Sequence, residues 1–230
     1  MAHRPHVFAD RTAAGAELAR ELQRRSLKQP LLVLGLPRGG VPVAYEVARA
    51  LGAPLDVMLV RKIGMPGQPE LAIGAIASGN IVVHEPRVAE YAPEITGAFD
   101  RLLIEERREL ERREKIYRAG LGSLDLKGKT VILVDDGLAT GSTMLAALRA
   151  ARQAGAAAIV VAAPVASAEA AALVGGEADS VVILQTPPML FSIGEWYARF
   201  EQLADAEVTS LLERRRHELA VPHPSHPAER

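Results

Sequence analysis

The chain has 230 residues, with 27 basic against 28 acidic side chains and a formal net charge of −1. That near-neutral balance argues against a dedicated nucleic-acid or membrane-surface binder, which would need a basic excess. Apolar residues make up 49% and charged residues 24%, ordinary for a soluble chain able to bury a core, while zero cysteines exclude disulfides, thiolate metal sites and a cysteine nucleophile.

The amino-terminal residues lack an apolar signal core, and the longest apolar stretch, 154–166, contains Pro164 and is too short to span a bilayer. A soluble, cytoplasmic protein is the expectation. In chain order, residues 10–25 read as a helix, with Asp10 as N-cap and Ala14, Leu18, Ala19 and Leu22 on one face. Residues 31–34 are a continuous apolar run ending in Gly35, the pattern of a strand covered on both faces. A loop, Leu36-Pro37-Arg38-Gly39-Gly40, opens a helix over 41–51, and 55–60 is a second strand closed by Arg61 and Lys62. Past Gly64, Pro66, Gly67 and Pro69, two β-rich pieces, 73–77 and 81–84, are joined by Ser78-Gly79-Asn80 as a hairpin.

Residues 93–119 form a long charged helix with Glu109–Arg113, Glu111–Lys115 and Glu114–Arg118 at i,i+4 spacing. Acids match bases along it, so it reads as a solvated helix with one docked face. Strands at 131–134, 159–163 and 181–184 alternate with helices at 143–154, 168–173 and 206–219, and 221–227 reads as a frayed tail. This alternation predicts an α/β fold with an open, mainly parallel sheet flanked by helices, and an excursion inserted between two of its strands.

Ligands of such sheets bind at the carboxyl ends of the strands. One loop there is unlike an ordinary connector: Val131-Ile132-Leu133-Val134-Asp135-Asp136-Gly137-Leu138-Ala139-Thr140-Gly141-Ser142-Thr143. Four apolar residues deliver two adjacent carboxylates to a strand tip, followed by small residues running into a helix. Backbone N–H groups of Ala139, Thr140, Gly141, Ser142 and Thr143, with three hydroxyls, can form a phosphate cradle at the helix N-terminus. Asp135 and Asp136 could accept hydrogen bonds from sugar hydroxyls, or hold a divalent cation through water. The sequence holds no Walker lysine, Gly-x-Gly-x-x-Gly, Gly-x-Ser-x-Gly or His-Glu-x-x-His motif, and its six histidines show no ligand spacing.

The thirteen-residue stretch resembles the 5-phosphoribosyl-1-pyrophosphate (PRPP) binding motif of the type I phosphoribosyltransferases, in the form nearest to adenine phosphoribosyltransferases. The loop Pro37-Arg38-Gly39-Gly40 resembles that family's pyrophosphate loop, which often holds a cis peptide, and Arg61-Lys62 resembles its basic pair. A late segment, Phe191-Ser192-Ile193-Gly194-Glu195-Trp196-Tyr197, together with Asp10-Arg11, is similar to a bacterial group of phosphoribosyltransferase-domain proteins of uncertain acceptor.

The resemblance implies a PRPP- and Mg²⁺-dependent transferase acting on a small-molecule nitrogen acceptor such as a nucleobase. Asp135, Asp136, Arg38 and Lys62 would be catalytic, the two acids also meeting Mg²⁺, directly or through water. Phe191, Trp196 and Tyr197 would supply a stacking face for the acceptor or a hydrophobic plug. Ala139 stands where hypoxanthine–guanine relatives carry an acid, which weakens a 6-oxopurine reading; Glu70 and Glu195 read as surface acids before general bases. The implied domain runs over 8–204, with a lid hairpin and long helix at 63–128 and a hood at 186–204, followed by a C-terminal helix and tail at 205–230. A homodimer is expected from the resemblance alone. Two alternatives stay open: a non-catalytic PRPP- or nucleotide-sensing regulator, and a sugar-phosphate hydrolase or phosphorolase.

Overall fold

The computed structural model describes residues 7–65, 68–84, 92–119 and 122–221. The expected tail beyond Val221, four histidines (His3, His6, His223, His226) and lid residues 66–67 and 85–90 lie outside them. Helix α1 (Arg11–Gln23) starts where Asp10 accepts the Ala13 N–H at 2.9 Å, and buries Ala14, Gly15, Leu18, Ala19 and Leu22. Strand β1 (Leu31–Gly35) is buried along its whole length, and helix α2 (Gly40–Ala50) crosses α1 closely at Gly15. A methyl group there would meet the Val43 carbonyl oxygen at 2.8 Å, so only glycine allows the approach.

The expected strand over 55–60 is two strands in two sheets. Strand β2 (Leu55–Val57) pairs with β1 in parallel, and β3 (Val60–Met65) pairs antiparallel with β4 (Gln68–Ala77), which pairs with β5 (Ile81–His84). The change of sheet is held at Leu59, whose N–H donates to Ser78 Oγ at 3.0 Å and whose carbonyl accepts the Ser78 N–H at 2.9 Å. Val60 is as apolar as Leu55, so hydropathy alone shows no break there. Gly79 and Asn80 turn the β4–β5 hairpin with φ values of 80° and 61°.

Helix α3 (Ala92–Tyr117) follows, then β6 (Thr130–Val134), α4 (Ser142–Gln153), β7 (Ala158–Val165), α5 (Ala168–Gly175), β8 (Ser180–Gln185) and α6 (Asp205–Ala220). The parallel strands run in the order β2-β1-β6-β7-β8. The predicted α/β fold with a parallel sheet is therefore the observed one. Of the three charge pairs expected along α3, Glu109–Arg113 forms at 2.8 Å, whereas Arg118 pairs across to Asp56 at 3.0 Å. Helix α6 packs into the main core through Val208 and Leu212, and its buried Arg215 donates to the Ala53 carbonyl at 3.0 Å. Among the described residues no helix is long and apolar enough to cross a membrane.

Candidate functional site at the sheet's switch point

From β1 the chain moves outward to β2, and from β6 it moves the opposite way to β7 and β8. The order therefore reverses between β1 and β6, leaving a crevice between the loops that follow them, where open α/β sheets bind ligands. Residue pairing brings Gly35 opposite Val134, so both loops leave the sheet at the same level.

The loop after β1 returns on itself, with Leu36 N–H donating to the Val134 carbonyl at 2.8 Å and Gly40 N–H to the Leu36 carbonyl at 3.0 Å. Its Pro37–Arg38 peptide is cis. The two glycines let this loop lie directly on the acids. A methyl at Gly39 would come within 1.9 Å of Asp136 Oδ2, and one at Gly40 within 2.8 Å of Asp135 Cα. Arg38 is exposed, with a guanidinium nitrogen 3.9 Å from Asp205 Oδ1; Asp205 also accepts the Tyr117 hydroxyl.

Asp135 and Asp136 are partly buried behind that loop. Burial pushes the Asp135 carboxyl well above the usual carboxylate range, and the neighbouring Asp136 charge adds to the shift. Burial also raises Asp136, opposed there by the hydrogen bond and charge of Arg11, whose Nε donates to Asp136 Oδ2 at 2.8 Å.

In the second loop Gly141 has φ 74°, and α4 begins at the next residue with no side-chain cap. The loop is fixed on its far side, where Ser167 Oγ donates to the Ala139 carbonyl at 2.8 Å and Leu138 N–H to the Val165 carbonyl at 2.9 Å. Among the described residues, the backbone N–H groups of Ala139, Thr140, Gly141 and Thr143 donate to no protein acceptor. Ser142 N–H has only a 3.4 Å contact with Thr140 Oγ1. Unpaired amides gathered at the N-terminus of a twelve-residue helix suit an anion.

Arg61 and Lys62 are adjacent on β3 and part company. Lys62 Nζ lies 3.5 Å from Ser142 Oγ, beside the cradle, whereas Arg61 Nε donates to Glu106 of α3 at 2.6 Å. Successive strand residues face opposite ways, which the pair read as a unit does not convey.

The late aromatic segment divides in the same manner. Tyr197 is buried, packs on Phe8 with ring centroids 5.7 Å apart, and donates its hydroxyl to the Asp136 carbonyl at 2.5 Å. Burial pushes its phenol above the ordinary range, and the Asp136 charge adds to the shift. Trp196 is half-buried against the same cluster, Phe191 is 78% exposed, and Glu195 is exposed. Ile193 lies over the acid loop, since a methyl at Gly137 would meet its Cδ1 at 2.6 Å. The side chain of Glu70 lies outside the described residues. No sequence spacing shows that Arg11 and the Tyr197 hydroxyl meet Asp136; the one hint is the shared resemblance of Asp10-Arg11 and the late segment to the same bacterial group.

Among the described residues, no three His, Asp or Glu side chains are grouped to hold a metal ion. Two adjacent carboxylates suit Mg²⁺, which keeps several waters and takes one or two carboxylates together with substrate phosphates.

The profile of the phosphoribosyl transferase domain matches residues 9–204. Proteins from two strains of Mycobacterium tuberculosis, provisionally named phosphoribosyl transferases, are 44% identical over 214 residues, covering 93% of this chain and 48% of their own length. The chain thus spans about half the length of these curated relatives. A crystal structure of a Thermus thermophilus protein matches with a TM-score of 0.83 at 43% identity, over 90% of this chain and 98% of that one.

Proposed function

Since this chain belongs to the phosphoribosyl transferase domain family, as the match over residues 9–204 shows, we propose that it binds PRPP at the β1–β6 crevice and transfers the phosphoribosyl group to a nitrogen acceptor. The observation that carries this reading is the group of amides at Ala139, Thr140, Gly141 and Thr143, without an acceptor among the described residues, beside two acids and a glycine loop lying on them.

The Ala139, Thr140, Gly141 and Thr143 amides, with the Ser142 and Thr143 side chains, hold the 5′-phosphate. Asp135 and Asp136 accept hydrogen bonds from the ribose hydroxyls. Arg38, the Gly39 amide and Lys62 face the pyrophosphate; the Gly40 amide, expected there too, is instead committed to the Leu36 carbonyl, and Arg61 serves only if it leaves Glu106. The bond from C1 to the pyrophosphate oxygen breaks with its electron pair leaving on pyrophosphate, while the acceptor nitrogen forms the new bond to C1 from the opposite face and loses a proton. The transition state resembles an oxocarbenium ion, so the protein's part is to position the sugar and stabilise the leaving charge. Mg²⁺ held by Asp135 and Asp136, directly or through water, would add charge neutralisation at the diphosphate. Phe191, with the edge of Trp196, offers the acceptor a stacking face; Tyr197 is committed to packing. Pairing into a homodimer is carried over from the family resemblance and is checked by sedimentation.

The test is pyrophosphate release from PRPP and Mg²⁺ with a panel of purine and pyrimidine bases. One base should give stoichiometric pyrophosphate and nucleotide. PRPP consumption without any base would instead identify a hydrolase, and tight binding without turnover a sensor. No PRPP binding would overturn the reading.

A further inference from the structure

Resting on the PRPP reading above, we propose that Arg11 is a positioning residue for the sugar site, holding the Asp136 carboxylate in place and tying it to the 197–201 segment. Arg11 enters from the first turn of α1, 125 positions away from Asp136 in sequence. Its Nε donates to Asp136 Oδ2 at 2.8 Å, and a terminal nitrogen donates to the Glu201 carbonyl at 2.8 Å. The guanidinium also stacks on Phe200, 3.9 Å from the ring centroid. The two paired side chains are only 12% and 14% exposed.

Three constraints converge on this one acid. The oxygen that Arg11 grips is the one lying against Gly39, so the carboxylate is clamped between the guanidinium and the 36–40 loop. The Asp136 carbonyl is held by the Tyr197 hydroxyl. The segment carrying Tyr197, Phe200 and Glu201 is itself tied to the start of the chain. Phe8 N–H donates to the Trp196 carbonyl at 2.9 Å, Ala198 N–H to the Phe8 carbonyl at 2.8 Å, and Arg199 pairs with Asp10 at 2.5 Å.

A little-exposed ion pair is a weak way to stabilise a fold, since apolar packing of similar volume does as well or better. Its place at the switch point is explained if the Asp136 side chain must be aimed before the sugar arrives. Lysine could not replace the arginine, because a single ammonium cannot grip the carboxylate, bond the Glu201 carbonyl and stack on Phe200 together.

The test is a double-mutant cycle of wild type, Arg11→Gln, Asp136→Asn and the double variant. Each is titrated with PRPP and Mg²⁺ by calorimetry and melted in parallel. Arg11→Gln should weaken PRPP binding about tenfold in the wild-type background and add nothing once Asp136 is Asn, the non-additivity expected of residues acting as a unit. Arg11→Lys should fall between, and it replaces the glutamine variant in both backgrounds if that one does not fold. Equal losses in the two backgrounds, or wild-type affinity in Arg11→Gln, would overturn the role of Arg11. Failure of the wild type itself to bind PRPP would remove the phosphoribosyl reading and this inference with it.

Discussion

The β1–β6 crevice and the β3–β5 excursion are both built from short strands, yet they place side chains by different rules. In the parallel sheet, β1 and β6 are buried on both faces and paired on both edges, so their tips are fixed and the loops after them inherit that position. Gly39 and Gly40 of the first loop therefore lie directly on Asp135 and Asp136 of the second. In the antiparallel excursion, successive residues of β3 serve different neighbours, one Glu106 of helix α3 and the next Ser142 at the start of α4. A residue's place in sequence is a good guide to its role in the first region and a poor one in the second.

Glycine loops test the first half of that contrast hardest. Gly39→Ala puts a methyl 1.9 Å from Asp136 Oδ2, forcing the loop off the acids. A displacement of about 1 Å at a reacting centre is worth about 100-fold, so PRPP-dependent turnover should fall at least that far, read as kcat/KM. Gly141→Val combines a β-branched side chain at φ 74° with a 3.2 Å contact on Ala170. It should cost about 1–2 kcal/mol of stability by denaturant titration, besides weakening PRPP binding. Unchanged affinity in either variant would separate these loops from the ligand.

The second half is sharpened by splitting the basic pair. Lys62→Ala should weaken PRPP binding about tenfold, since it removes a charge-assisted contact. Arg61→Ala should leave that affinity within about twofold and lower stability by less than about 1 kcal/mol, the worth of a part-exposed pair with Glu106. Equal effects on PRPP would mean that Arg61 swings from Glu106 into the site.

The smallest expected effect concerns the N-cap of α1. The Ala13 N–H, and then Arg199, hold the Asp10 carboxyl below its usual range. A depressed folded value means that its stabilisation is complete above the unfolded value of 3.8 and is lost as pH falls through the folded one. Asp10→Ala should therefore cost about 1 kcal/mol at neutral pH, with the gap to wild type closing as the pH falls through the depressed folded value. A gap independent of pH would place the effect in helix propensity.

The legible parts of this molecule are those governed by local pattern. Apolar runs ending in glycine or paired aspartates mark β1 and β6, and the Gly141 loop announces its helix. Less legible is the break at Met58-Leu59, because apolar residues continue across it and the partner, Ser78, lies in the β4–β5 turn. The opposite fates of Arg61 and Lys62 depend on which face of β3 meets α3. Sequence leaves Phe191, Trp196 and Tyr197 open as a stacking face or a hydrophobic plug, and Tyr197 takes the second role, buried on Phe8 at the other end of the chain. Arg11 meets Asp136 only through the closed fold, so no spacing between them carries a signal.

The proposed phosphate role of the Ala139, Thr140, Gly141 and Thr143 amides rests on their donating to no protein acceptor among the described residues. Its most direct test is the amide spectrum of isotopically labelled protein during titration with PRPP and Mg²⁺. The amide protons of Ala139, Thr140, Gly141 and Thr143 should move strongly to higher frequency, as new hydrogen bonds to phosphate require. PRPP that binds while those four resonances stay in place would contradict the account.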